Sequence, residues 1–123
     1  MKLHFDKPGG ENLITAFEPG RVQVNRMSHT GTIVVLKDRI ITDWPPQDFD
    51  ELTPEHFAAL AGLGAGIVLL GTGSTLRFPK PAMTRSLIEA QIGLEVMDSA
   101  AACRTYNILA GEGRAVAAAL LLR

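Results

Sequence analysis

Four consecutive apolar residues, Ile67-Val68-Leu69-Leu70, lie between Gly66 and Gly71, and no other run constrains the fold as tightly. A strand with one wet face alternates apolar and polar residues, so a run without alternation must be covered on both faces. The run is also far short of the roughly 20 residues a membrane-spanning helix needs. A second such run, Ala115 to Leu122, is 8 residues long. Its alanines would suit a helix, but the Gly111-Glu112-Gly113 break leaves only a short segment, and a strand completes the pattern around it. Between the two runs, a helix is expected from Ala82 to Ile92 with Gly93 as its C-cap. A short strand follows over Leu94–Met97. A further helix starts at Asp98-Ser99 and buries Ala102, Cys103, Tyr106, Leu109 and Ala110. The back half thus reads strand–helix–strand–helix–strand. Crossovers between parallel strands are right-handed, which predicts a mixed sheet covered by helices on at least one face.

The front of the chain reads as strands. Leu13–Phe17 is apolar and broken by Glu18-Pro19-Gly20, a turn signal. Arg21–Asn25 alternates, and Gly31–Leu36 is rich in β-branched residues. Lys37-Asp38, although not a preferred turn pair, joins that run to Arg39–Trp44 as a hairpin. These strands are expected to form one antiparallel sheet beside or extending the back-half sheet. Trp44-Pro45-Pro46 ends the block, since a residue before proline avoids the helical region. Residues 45–52 are an irregular connector. Thr53-Pro54-Glu55 then opens a helix: a capping hydroxyl, a proline at the first helical position and a carboxylate at the positive end of the dipole. Phe57, Leu60 and Ala61 form its buried stripe.

At 123 residues the chain fits a single domain over 1–123. Twelve Lys and Arg against 13 Asp and Glu give a formal charge of −1, which predicts no attraction to nucleic acid or anionic membrane by bulk electrostatics. One cysteine excludes an intrachain disulfide and a multi-cysteine metal cage. The opening MKLHFDKPGG lacks the apolar stretch of a secretory leader, which predicts a cytoplasmic, bacterial protein.

No motif names a reaction. Gly62-Leu63-Gly64-Ala65-Gly66 has Ile67 where a dinucleotide fingerprint needs its third glycine, and it precedes a strand instead of following one. There is no Gly-Lys-Ser/Thr of a phosphate loop. Gly71-Thr72-Gly73-Ser74 is better placed, directly after the buried strand, where exposed N–H groups can cradle an anion. Arg77-Phe78-Pro79-Lys80-Pro81 follows and reads as extended, without the helix dipole of a phosphate loop, so Arg77 and Lys80 could supply charge, with Arg104 also near the edge. Asp98 and Ser99 end the next strand, and if the two strands are parallel neighbours both loops share the sheet edge where open α/β sheets bind ligands. Gly71, Thr72, Gly73, Ser74, Arg77, Asp98, Ser99 and Arg104 are therefore the candidate site for a small molecule or anion. The plainer reading makes the glycines a turn and Asp98 or Ser99 an N-cap. Cys103, among alanines, reads as a buried small residue. His4, His29 and His56 have no metal-ligand spacing, so no metal site is expected. Asn107, Glu112 and Arg114 are candidates for contact with a partner.

From Val68 onward the chain resembles a known family. The segments that carry the likeness are Gly71-Thr72-Gly73, Phe78-Pro79, Glu95-Val96-Met97-Asp98, Ala102-Cys103-Arg104-Thr105-Tyr106-Asn107-Ile108-Leu109 and Glu112-Gly113-Arg114. They are similar to the family known as domain of unknown function 498, whose mitochondrial relatives include NADH:ubiquinone oxidoreductase (complex I) assembly factor 3. The hairpin region through Trp44-Pro45 is consistent with it. The resemblance implies a three-layer α/β fold with a central mixed sheet and an additional antiparallel layer. It implies no established catalytic residues and no cofactor. It points to a non-catalytic domain acting through protein partners, the alternative being a small-molecule or anion site, an enzyme's or a binding protein's, at the sheet edge.

Overall fold

A computed structural model describes residues 11–123. The readings on the leader and on His4 lie outside the described residues. The elements run β1 (Ile14–Glu18), β2 (Arg21–Val24), β3 (Met27–His29), β4 (Ile33–Leu36), β5 (Arg39–Ile41), α1 (Pro54–Ala61), β6 (Ile67–Thr72), α2 (Arg85–Glu89), β7 (Gly93–Met97), α3 (Ser99–Gly111) and β8 (Val116–Leu121). Short 3-10 turns at Phe49–Glu51 and Pro81–Thr84 complete the order.

The central sheet has five strands in the order β5-β4-β8-β6-β7, and β1-β2-β3 form a separate antiparallel sheet. β6 is parallel to both β7 and β8, while β4 is antiparallel to β8 and β5. The terminal alanine-rich run is a strand, wholly buried at the centre of the sheet. The chain moves outward from β6 to β7 through α2, then back across β6 to β8 through α3. With right-handed crossovers, that reversal puts the two helices on opposite faces. The cores show the same division. Leu69, Val35, Ala118 and Leu120 pack toward α3 and the small sheet. Their neighbours Val68, Leu70, Val34 and Ala119 pack toward Phe57, Leu60 and Leu87 of α1 and α2. Alternate side chains of one strand thus serve two cores, which is why β4, β6 and β8 contain no alternation.

The early strands do not form one sheet, contrary to the expectation. β1 and β2 alternate or carry exposed positions, whereas all four residues of β4 are buried. A strand buried on both faces belongs inside the covered sheet, so β4 joins β8 and takes β5 with it through the Lys37-Asp38 hairpin. The expected helix from 82 to 92 is also shorter. A 3-10 turn begins at Pro81, α2 covers five residues, and Gln91 at φ 59° breaks the helical path. Gly93 begins β7 and does not cap the helix.

α1 begins as expected at Thr53, whose hydroxyl accepts from the His56 N–H at 3.4 Å. His56 Nδ1 reciprocates by accepting from the Thr53 N–H at 3.0 Å, and the His56 carbonyl accepts from Trp44 Nε1 at 3.0 Å. Thr53→Ala removes one half of this cap and is expected to destabilise the protein by about 1 kcal/mol in urea denaturation. A loss below a few tenths would show that the cap is not formed in solution.

Candidate functional site

The connections reverse direction after β7, so the C-terminal ends of β6 and β8 flank the crevice where α/β sheets commonly bind ligands. Gly71–Ser74 and Asp98–Ser99 do meet there. The Ser99 hydroxyl accepts from the Gly73 N–H at 2.8 Å and donates to the Leu121 carbonyl. The Ser99 N–H donates to the Gly73 carbonyl at 2.9 Å. One buried serine thereby ties the ends of β6, α3 and β8 together. The Thr72 hydroxyl donates to the Thr75 carbonyl at 2.7 Å, and the Asp98 carboxylate caps α3 by accepting from the Ala101 N–H at 2.9 Å. The backbone at Gly73 has φ 93°, and a Cβ there would overlap the Arg123 carbonyl. These groups bond one another, and an anion bound among them would have to displace those bonds.

The two arginines of the candidate site lie elsewhere. The Arg77 guanidinium stacks over the Phe49 ring, 4.3 Å from its centroid, and donates to Asp50 at 2.8 Å. Arg104 lies with Thr15, Phe17 and Asn107 on a groove of about 270 Å³ between α3 and β1. Within that groove the Asn107 amide accepts from the Ile14 N–H at 2.9 Å and donates to the Ile14 carbonyl at 2.7 Å. Glu112 and Arg114 are exposed at the opposite end of α3 from Asp98.

Cys103 is buried in the core facing the small sheet. Burial raises its thiol pKa to about 12, and the charge of Arg104 offsets only part of that. The folded thiol holds its proton more tightly than an unfolded one near 9.0. Its contribution to stability is therefore complete below pH about 9 and is lost as pH rises toward 12. At pH 8 the folded protein is expected to resist thiol reagents and to be labelled once denatured. Fast labelling of the folded protein would overturn this assignment. Among the described residues no group of three or more His, Cys, Asp or Glu is placed to hold a metal.

A feature that the sequence analysis missed lies beside the rim. The segment after β6 runs extended, and the Phe49–Glu51 turn faces it across a groove of about 480 Å³. Leu52, Phe49 and Met83 give it an apolar lining, and Arg77 and Lys80 border it. Leu76 is 49% and Phe78 69% exposed, and Ile88 on α2 is 66% exposed. The available signal was compositional: Leu76 and Phe78 are apolar residues on a proline-bounded loop that no strand or helix stripe requires.

A mixed sheet between a helical layer and a second layer of helix and antiparallel sheet defines a three-layer α/β protein. The model of the family described as protein of unknown function (DUF498/DUF598) matches residues 14–121, and the chain belongs to that family. A bovine relative named NADH dehydrogenase [ubiquinone] 1 alpha subcomplex assembly factor 3 is 32% identical over 88 residues, covering 70% of this chain and 48% of the relative. The chain thus spans about half the length of the curated assembly factors it matches. A Francisella tularensis relative named 13 kDa major membrane protein is 27% identical over 74 residues, 60% of each chain. Among solved structures, a Bordetella parapertussis protein superposes with TM-score 0.86 at 35% identity, covering 92% of this chain and 97% of that one. A Bordetella pertussis protein described as a Mth938-like domain gives TM-score 0.79 at 31% identity, covering 99% and 92%. No helix among the described residues is long and apolar enough to cross a membrane.

Proposed function

We propose that this chain is a single-domain, non-catalytic protein-interaction module that acts in the cytoplasm and serves assembly of a respiratory complex. The observation that carries the reading is the apolar surface left open by the segment after β6, where Leu76 and Phe78 are both exposed beside the groove that Phe78 lines. Isolated surface leucines are ordinary, but a short segment that exposes Leu76 and Phe78 beside an apolar-lined groove is characteristic of a contact surface. The names of the curated assembly-factor relatives supply the direction. Deleting the gene in its native host is expected to lower the amount of assembled complex I on native gels, with recovery on complementation. Unchanged complex I would remove the assembly role.

A further inference from the structure

We infer that the groove between the Phe49–Glu51 turn and the 76–83 segment docks an acidic, apolar-bearing stretch of a partner protein, anchored by Phe78 and Lys80. The inference deepens the interaction reading above and rests on it. Charge selects the occupant. The Asp50 carboxylate at the groove is already matched by Arg77 at 2.8 Å. The other ion pairs of the described residues leave Lys80, and Arg85 just beyond it, without a carboxylate partner. Among the described residues of the groove lining, Asp50 and Arg77 cancel and Lys80 is the one unmatched charge over an apolar floor. Arg77 is fixed from two sides, by Asp50 and by the Phe49 ring, so its remaining N–H donors are held in place at little further entropic cost.

Phe78 supplies the anchor. Aromatic side chains at the centre of a contact, surrounded by charged residues, carry a large share of binding energy. At 69% exposure the ring has most of its surface still to bury. A small ligand would need enclosure over most of its surface, which an open groove with an outward-facing Phe78 does not give. An anionic lipid surface fits less well, because a broad surface would also meet the exposed Glu51 carboxylate on the facing turn. A polypeptide can place a carboxylate at Lys80 while keeping clear of Glu51.

The test places a photo-crosslinking amino acid at position 78 of the full chain in its native host, with the same substitution at exposed Ile108 as control. The expected product is a dominant adduct at position 78 and not at 108, with the crosslinked peptide net acidic and containing apolar residues. Phe78→Ala combined with Lys80→Glu changes only exposed side chains, so the melting temperature should hold. With a crosslinker placed at Leu76 in that background, the adduct should fall at least tenfold. Lipid adducts, a neutral or basic crosslinked peptide, equal labelling at both positions, or no adduct would each overturn the inference. If the gene deletion lowers complex I but the double variant complements it fully, the groove assignment fails while the interaction reading survives. If the deletion has no effect, the assembly reading itself fails.

Discussion

Gly73→Ala is expected to destabilise the protein by about 3–5 kcal/mol, a large part of the total for a domain of this size. Two effects combine. At φ 93° an L side chain is strained, at about 1–3 kcal/mol. The added Cβ also overlaps the Arg123 carbonyl, so the residues just after β8 must shift. That shift pulls on the end of β8, which Ser99 holds through the Leu121 carbonyl while accepting from the Gly73 N–H. The overlap therefore spreads into the junction of β6, β8 and α3, with a repacking penalty of about 1–3 kcal/mol. In thermal unfolding the midpoint should fall by roughly 10 °C or more. Ser74→Ala, one residue on and exposed, should change stability by less than about 0.5 kcal/mol. If Gly73→Ala unfolds within 1 kcal/mol of the parent, the close approach between β6 and the chain end is not a rigid feature of the fold.

The same junction shows how far the sequence could be read. That Gly71–Ser74 and Asp98–Ser99 would meet followed from two parallel strands with right-handed crossovers, and they do meet. What they do there depends on side-chain direction. Ser99 lies two residues past the end of β7, and its hydroxyl points inward to β6 and β8, a consequence of helix geometry that spacing alone does not reveal. Arg77 sits five residues past Thr72, yet the extended path of its segment carries it across to Phe49, a partner distant in sequence. The failure at β4 has a different origin. Ile33-Val34-Val35-Leu36 showed no alternation, the same sign that placed Ile67–Leu70 in the centre, but its hairpin with β5 drew it to the front strands. Local pairing and membership of a sheet are separate questions, and burial on both faces decides the second. The short α2 escaped notice because apolar spacing persists through Ile92 even where Pro81 and the left-handed Gln91 confine the helix. The His56 half of the α1 cap was illegible for a chemical reason: the reciprocal position ordinarily carries Glu or Gln.

Asn107→Ala is expected to loosen the small sheet from the rest of the molecule. The Asn107 amide covers the open edge of β1 much as a neighbouring strand would, accepting from the Ile14 N–H and donating to the Ile14 carbonyl. Next to it, the Tyr106 hydroxyl donates to the Asn12 carbonyl at 2.9 Å. Two consecutive residues of α3 thus hold the backbone at the start of β1 and just before it. Alanine strands both groups of Ile14 at a buried residue, and each unsatisfied group is worth about 1–3 kcal/mol. Partial access of water to this half-buried pair places the sum at about 2–4 kcal/mol. Asn107→Asp tests the direction of the bonds, because a carboxylate still accepts from the Ile14 N–H but faces the Ile14 carbonyl with a second acceptor. It should be destabilising as well, and less tolerated at neutral than at acid pH, where the protonated carboxyl can donate. Hydrogen exchange separates local from global effects. In Asn107→Ala the Ile14 amide should lose protection beyond the global change, while Leu69 and Ala118 in the central sheet should follow the global change alone. Unchanged protection at Ile14 would show that α3 does not hold β1 through this amide. The prediction also bears on Asn107 as a candidate for partner contact: any loss of binding in the variant must be measured where the variant remains folded, since detaching β1 also opens the groove that Arg104 borders.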